Sequence, residues 1–398
     1  TEATETLSAA HSATHVPYNM PIKSLPMQPH TPLTINEWNE AIAMCQHAIA
    51  FSIYRFPHTS QVFLVIQKTP DITVIRHLDE LTNQPAGYVT APFHIDEKTP
   101  ATMIRPDMFL TVPLPRISDQ TVTDYQLLSC NTNQDVYFSA FADFMTQLRT
   151  KACRKLVLAR DEQITTARQI DPFDIFLRAA HEYTNSFVSL WHTPQAGTWI
   201  TAMPEVLLSG SGNQWHTVAL AGTMKYNETN AHPSLQAWSQ KNRDEQEWVS
   251  QYIAHILNTH GINFLAEGPH PEKAGKLVHL CTDFRFSLPD LHTATRLLEA
   301  LHPTPAVCGF PKTAALAYIL QHEGIQRQYY AGFNGPWQLN GRTAFYVTLR
   351  CMHLRDAHHI KLFAGGGIIP ASQAQEEWQE TVRKMHTMKD MLFARHQH

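Results

Sequence analysis

The chain has no apolar run approaching the ~18 residues that a membrane-crossing helix needs, no CxxC pair among its six cysteines and no long run of either charge sign. The first absence excludes a helical membrane protein. The second leaves Cys45, Cys130, Cys153, Cys281, Cys308 and Cys351 as isolated thiols, as expected of reduced packing residues in a cytoplasmic protein rather than a disulfide scaffold or redox motif. The third, with a formal net charge of -4, removes the basic field on which nucleic-acid binding depends. HExxH and Cys/His ligand spacings are missing despite 24 histidines, and neither GxGxxG nor GxxxxGK[ST] occurs, so zinc-protease and nucleotide-loop readings have no motif to stand on.

What is present is the composition of a globular protein, with 43% apolar residues over 398 positions. Residues 1–30 are rich in Ser, Thr and Ala and read as a flexible arm; 31–398 read as one domain. Helical periodicity runs through EWNEAIAMCQHAIA, VYFSAFADFMTQLR, PFDIFLRAAHEY and Leu235 to Thr259. Strand-like runs are FSIYRF, QVFLVIQ, DITVIRHL, KLVLARDEQIT, SFVSLWHT, TWITAMPEVLLSG, WHTVALAGT, KLVHLCTDFRFSL, RTAFYVTLRCMHL and HIKLFAGGGII, with a proline-punctuated stretch over 84–115. Many neighbouring strands with few helices between them predict an α+β fold of two mainly antiparallel sheets with helices outside.

Several residues stand out as chemistry. In the last helix Glu377, Thr381 and Lys384 fall on one edge of the apolar stripe, with Glu380 close by; the plainer alternative is a set of helix-start carboxylates and an i,i+4 pair. Glu245 lies one turn before the stripe of Trp248, Val249, Tyr252, Ile253 and Ile256, so it should point inward. Inward carboxylates from separate segments call for a cation, and all-oxygen donors suit Mg²⁺. Gly365, Gly366 and Gly367 break a strand-like run and leave amides open to an anion, just before a helix start. Arg350, placed on a strand face with Tyr346 and Thr348, is either a fork for a carboxylate or a sheet-edge arginine. Lys155 is either a desolvated base or a solvated strand start, and Glu205 either an acid of raised pKa or a solvated glutamate beside Pro204.

The segments KLVLAR, TAMPEVLL, ALAGT, KNRDEQEWV, LHPTPAVCGFPKTAAL, YYAGFNG, VTLRC and LFAGGGIIPASQAQEEWQET stand in an order that resembles the chorismate-utilising family, from about Ala91 to Met391, and within it the isochorismate-forming branch. The resemblance implies chorismate as substrate, with Mg²⁺ on its ring carboxylate, water attacking C2 and the C4 hydroxyl leaving. Residue by residue it makes Lys155 the base, with a lowered pKa, and Glu205 the acid, with a raised one. Glu245 and Glu377 match metal ligands, with Glu380 beside them. Arg350 and the amides of Gly365, Gly366 and Gly367 would hold substrate carboxylate oxygens. Thr223, His279, Thr282, His302, Ala306, Tyr330 and Lys384 would line the pocket. The product would feed menaquinone or siderophore synthesis by a monomer or weak homodimer. Lys155 speaks against an aminating enzyme with a glutamine amidotransferase partner; salicylate synthases, which keep that lysine, and a non-catalytic chorismate binder are the alternatives. The chain departs from the family pattern at Met203, where Thr or Ser is usual, at Gly366, where Ala is usual, at EQE for EH, and at Lys225, left alone where a basic pair is common.

Overall fold

The computed structural model describes residues 32–117, 123–226, 233–274 and 277–393. The arm expected at 1–30 and the terminal His396 and His398 lie outside the described residues.

Among those residues, twenty strands, numbered in chain order, form two sheets. The first runs β1 (Leu33–Thr34), β7 (Met108–Pro113), β3 (Gln61–Gln67), β2 (Ala50–Arg55), β10 (Phe187–Thr193), β11 (Gly197–Met203), β19 (Cys351–Leu354), β20 (His359–Ile368), β9 (Lys155–Thr166) and β16 (Gly309–Phe310), with β8 (Leu127–Asn131) also paired to β9. The second runs β14 (Phe264–Ala274), β15 (Leu277–Ser287), β13 (Gln214–Lys225), β12 (Val206–Ser211), β18 (Arg342–Val347), β17 (Phe333–Trp337), β5 (Gly87–Ala91), β6 (Ala101–Ile104) and β4 (Thr73–Ile75). The pairings are antiparallel apart from β1 with β7. The helices are α1 (Trp38–Gln46), α2 (Gln134–Arg149), α3 (Pro172–Glu182), α4 (Gln240–Thr259), α5 (Leu291–Leu301), α6 (Lys312–His322) and α7 (Ala374–Lys389). None of the described helices is long and apolar enough to cross a membrane.

The first sheet is buried on both faces, which explains why its central strands read as nearly continuous apolar runs. Phe187, Ser189 and Trp191 alternate toward the second sheet, while Val188 and Leu190 point away into a separate core shared with Phe173 and Phe176 of α3 and Met385 and Met388 of α7. Between the sheets, Phe187 stacks on Tyr346 with ring centroids 4.2 Å apart. Ser189 and Tyr88 both donate to Asn334 Oδ1, at 2.8 and 2.6 Å. A polar contact between sheets is affordable in so dry a layer because its partners are satisfied.

The structure corrects the strand reading where it matters most. TWITAMPEVLLSG is two strands, β11 in the first sheet and β12 in the second, and the chain crosses at Pro204 and Glu205. RTAFYVTLRCMHL is likewise β18 and β19, and it crosses back through Thr348, Leu349 and Arg350. Proline cannot donate to a ladder, and Arg350 adopts a left-handed φ of 48°, so each strand must stop there. Arg350 is therefore in a bend, not on a strand face with Tyr346 and Thr348. The crossings run side by side: Val347 N donates to Glu205 O at 3.0 Å, Ala202 N to Arg350 O at 3.3 Å, and Thr201 Oγ1 to Leu349 O at 2.6 Å.

Smaller differences have local causes. The first helix ends at Gln46 because Ala50 already belongs to β2, and DITVIRHL keeps only Thr73–Ile75 as strand before a 3-10 turn over Leu78–Asn83. The stretch 84–115 contains β5, β6 and β7; prolines 85, 92, 100 and 106 lie outside those strands and Pro113 is the last residue of β7, so they punctuate the strands without interrupting them.

Candidate active site

A recess opens where the two crossings pass. Glu205, from the first crossing, is 3% exposed, and burial pushes its carboxyl up to about 8 even though Arg350, Lys155 and Lys384 pull the other way. Met203, just before it, lines the same recess, so a thioether stands where a hydroxyl would have eased the desolvation. Arg350, from the second crossing, donates from Nη2 to His279 Nε2 at 3.2 Å, while His279 Nδ1 lies 2.7 Å from Gly222 O. The geometry fixes the tautomer: Nδ1–H donates to the carbonyl and Nε2 accepts from Arg350. Burial and then Arg350 lower His279 to about 3, so it is a neutral clamp on the guanidinium. Arg350 Nε is buried with no hydrogen-bond partner, a donor aimed at something the protein itself does not supply.

Lys155 opens β9 between β20 and β16 and is 1% exposed, so the solvated strand-start alternative is excluded. Its Nζ is 2.7 Å from Glu245 Oε1. Glu245 is held by α4, which Gln246 pins to the second sheet by donating to Ala219 O at 2.9 Å and Thr282 Oγ1 at 3.0 Å. On α7, Glu377 pairs with Lys241 of α4, and Glu380 Oε1 lies 2.5 Å from Lys384 Nζ. Each of the three carboxylates thus carries a lysine. Burial would raise Glu380, but Lys384, Lys241 and Arg350 together hold it down to about 2. For Glu377 burial wins over Lys241 and the carboxyl is raised.

The glycines do something other than break a strand. β20 runs through them, pairing Gly365 with Ala159, Gly366 with Leu158 and Gly367 with Val157. What they provide is room: a Cβ on Gly367 would lie 2.6 Å from Lys155 Cε and 2.8 Å from Glu245 Oε1, and one on Gly366 would lie 3.2 Å from Glu377 Oε2. Gly365 lines the recess, and its carbonyl accepts from Lys384 Nζ at 2.8 Å.

Thr223, Ala306 and Tyr330 line the recess together with Glu205, Glu245 and His279. Glu380, Lys384, Arg350 and Gly365 complete its polar wall, with Lys155 directly behind Glu245. Thr282 is a correction: strand parity sends it to the opposite face of β15 from His279, where it accepts from Gln246. His302 is a second. It is buried with Nε2 3.0 Å from Pro92 O, lies edge-on to Phe333, and is not in the pocket wall. Lys241 is the residue that sequence reasoning passed over; it lies one helical turn before Glu245, and that i,i+4 spacing was the available signal.

The carboxylate cluster suits a hard divalent cation. Its donors are all oxygen, Glu377 Oε2 is buried with no hydrogen bond, and the bare Gly366 backbone leaves open the space beside that atom and Glu380 Oε1.

A buried proton donor, a buried lysine and a cation-type carboxylate cluster, set between two antiparallel sheets, define an acid–base pocket for a small anionic ligand. Residues 84–393 match the family described as chorismate binding enzyme, and the chain belongs to that family. It is 34% identical over 246 residues to the isochorismate synthase EntC of Escherichia coli (strain K12), an alignment that covers 60% of this chain and 62% of that protein. It is 28% identical over 324 residues to the vibriobactin-specific isochorismate synthase of Vibrio cholerae, covering 78% of this chain and 80% of that one. The fold is similar to that of MenF, the menaquinone-specific isochorismate synthase of Escherichia coli, with a TM-score of 0.73 at 20% identity over 87% of this chain and 89% of that one.

Proposed function

We propose that the chain is an isochorismate synthase, converting chorismate to isochorismate with Mg²⁺. The observation that carries the reading is Glu205, a carboxyl 3% exposed and pushed up to about 8 by burial, in the same recess as Arg350, Lys384, Glu245 and Glu380. In this reading Arg350, steadied by His279, forks onto a substrate carboxylate through the donor it leaves unpaired. Glu245, Glu377 and Glu380 would hold Mg²⁺, which when bound would offset the charge of the substrate's ring carboxylate. Lys155 takes a proton from the water whose oxygen bonds to C2. Glu205 gives its proton to the C4 hydroxyl, which departs as water. One water enters and one leaves, so the overall change is an isomerisation.

A relative named for vibriobactin and a solved structure named for menaquinone support a place in a siderophore or menaquinone pathway; the same reading puts the chain in the cytoplasm, where its six free cysteines would stay reduced. The test is to incubate the purified protein with chorismate, with Mg²⁺ or with chelator, and to identify products by chromatography and mass. Mg²⁺-dependent isochorismate, lost in Lys155→Ala, is the expected result. Salicylate with pyruvate, or chorismate binding without turnover, would overturn it.

A further inference from the structure

Among the described residues, one histidine meets a cysteine and an aspartate at a place outside the pocket. On the hairpin of β14 and β15, His270 pairs with Cys281 and Glu272 with His279. Directly opposed residues share a face, and residues two apart on a strand share it too. His270, Glu272, Cys281 and Asp283 therefore project from one side of the hairpin. A register shift between Glu267 and His270 places the imidazole beside Asp283, with Nε2 to Oδ2 at 3.1 Å. One ligand atom from each of His270, Cys281 and Asp283 lies within 4.8 Å of the others.

Two further observations give the cluster a direction. His270 Nδ1 is buried without a hydrogen-bond partner, and Cys281 is a free thiol only 4% exposed. Neither group is used by the acid–base chemistry of the pocket. One nitrogen, one sulfur and one carboxylate oxygen make the donor set of a borderline transition ion, and thiolate disfavours Mg²⁺.

We propose that His270, Cys281 and Asp283 form a second metal site on this hairpin, taking one ion of the Zn²⁺ class and distinct from the carboxylate cluster of Glu245, Glu377 and Glu380. The fourth position falls to water or to Glu272. On binding, the Cys281 S–H bond breaks, its proton passes to solvent and sulfur bonds the ion. The site is structural in effect: β15 also carries His279, two residues from Cys281 on the same face, so an ion there braces the strand that holds the clamp on Arg350.

The test uses the full-length protein and Co²⁺ as a spectroscopic probe. The expected result is one equivalent bound with a thiolate-to-cobalt charge-transfer band, displaced by Zn²⁺ and untouched by excess Mg²⁺. The band disappears in Cys281→Ser. His270 is partly exposed, so His270→Ala folds; there Co²⁺ affinity falls at least tenfold, and the rise in melting temperature that Zn²⁺ gives the parent protein is lost. Histidines elsewhere bind Co²⁺ without that band. Absence of the band, its survival in Cys281→Ser, or unchanged affinity in His270→Ala would overturn the proposal.

Discussion

Glu205 and Glu380 line the same recess and sit at opposite ends of the titration scale, one near 8 and the other near 2. Burial is the largest influence on both and pushes both upward. The difference lies in how the cations are placed. Lys384 is in direct contact with Glu380 at 2.5 Å, whereas Arg350, which faces Glu205, is turned onto His279. At Glu380 the lysine in contact holds the carboxylate ionised, whereas at Glu205 the facing cation is engaged elsewhere and burial keeps the proton on. One residue type in one recess is thus driven in two directions by the placement of its neighbours.

The largest effect should come from removing the acid end. Glu205→Gln is expected to lower kcat on chorismate by roughly 10²–10⁴-fold while leaving chorismate affinity within a few-fold, measured by product formation and by calorimetric titration. An equal loss of binding would mean that Glu205 positions substrate instead of donating a proton.

Next comes the ligand end, where space is the constraint. Gly367→Ala forces a methyl against both Lys155 and Glu245 and should cost about 1–3 kcal/mol of stability, with kcat/KM down at least tenfold; thermal melting and steady-state kinetics read both. Gly366→Ala faces a looser contact, 3.2 Å from Glu377 Oε2, and should stay within a few-fold of the parent.

The pH dependence of stability separates the two glutamates in the folded protein alone. Glu205 is raised from an ordinary 4.5 to about 8, so the folded state binds the extra proton. Its contribution is fully present below about 4.5 and is lost as the pH climbs toward and through about 8. Glu380 runs the other way: its contribution is present above about 4.5 and lost as the pH falls through about 2. Denaturant unfolding across this range should therefore show a decline between about 4.5 and 8 that Glu205→Gln flattens. The smallest effect is expected of Met203→Thr. A hydroxyl beside Glu205 favours its ionised form, so the alkaline limb of the kcat profile should move to lower pH by up to about one unit.

Much of this site was legible because helical and strand periodicity is local. The helix wheel turned Glu245, Glu377 and Glu380 inward, and apolar neighbours on KLVLAR marked Lys155. The two crossings were not legible, because TWITAMPEVLLSG and RTAFYVTLRCMHL stay apolar while they change sheets. Only Pro204 hints at the first, and nothing in the letters announces the left-handed turn at Arg350. Thr282 failed on parity alone, since His279 and Cys281 share the inner face and Thr282 points from the opposite one. The glycines were read as breaking a strand, whereas β20 runs through them, and the need for a missing Cβ beside Lys155 and three carboxylates comes from segments far apart in sequence.

The most direct measurement is a carbon-13 NMR titration of protein labelled at its glutamate carboxyls, compared with Glu205→Gln. The account predicts one resonance with a midpoint near 8 that is missing from the variant. A full set of glutamates titrating in or below the ordinary carboxylate range, with no such resonance, would contradict it.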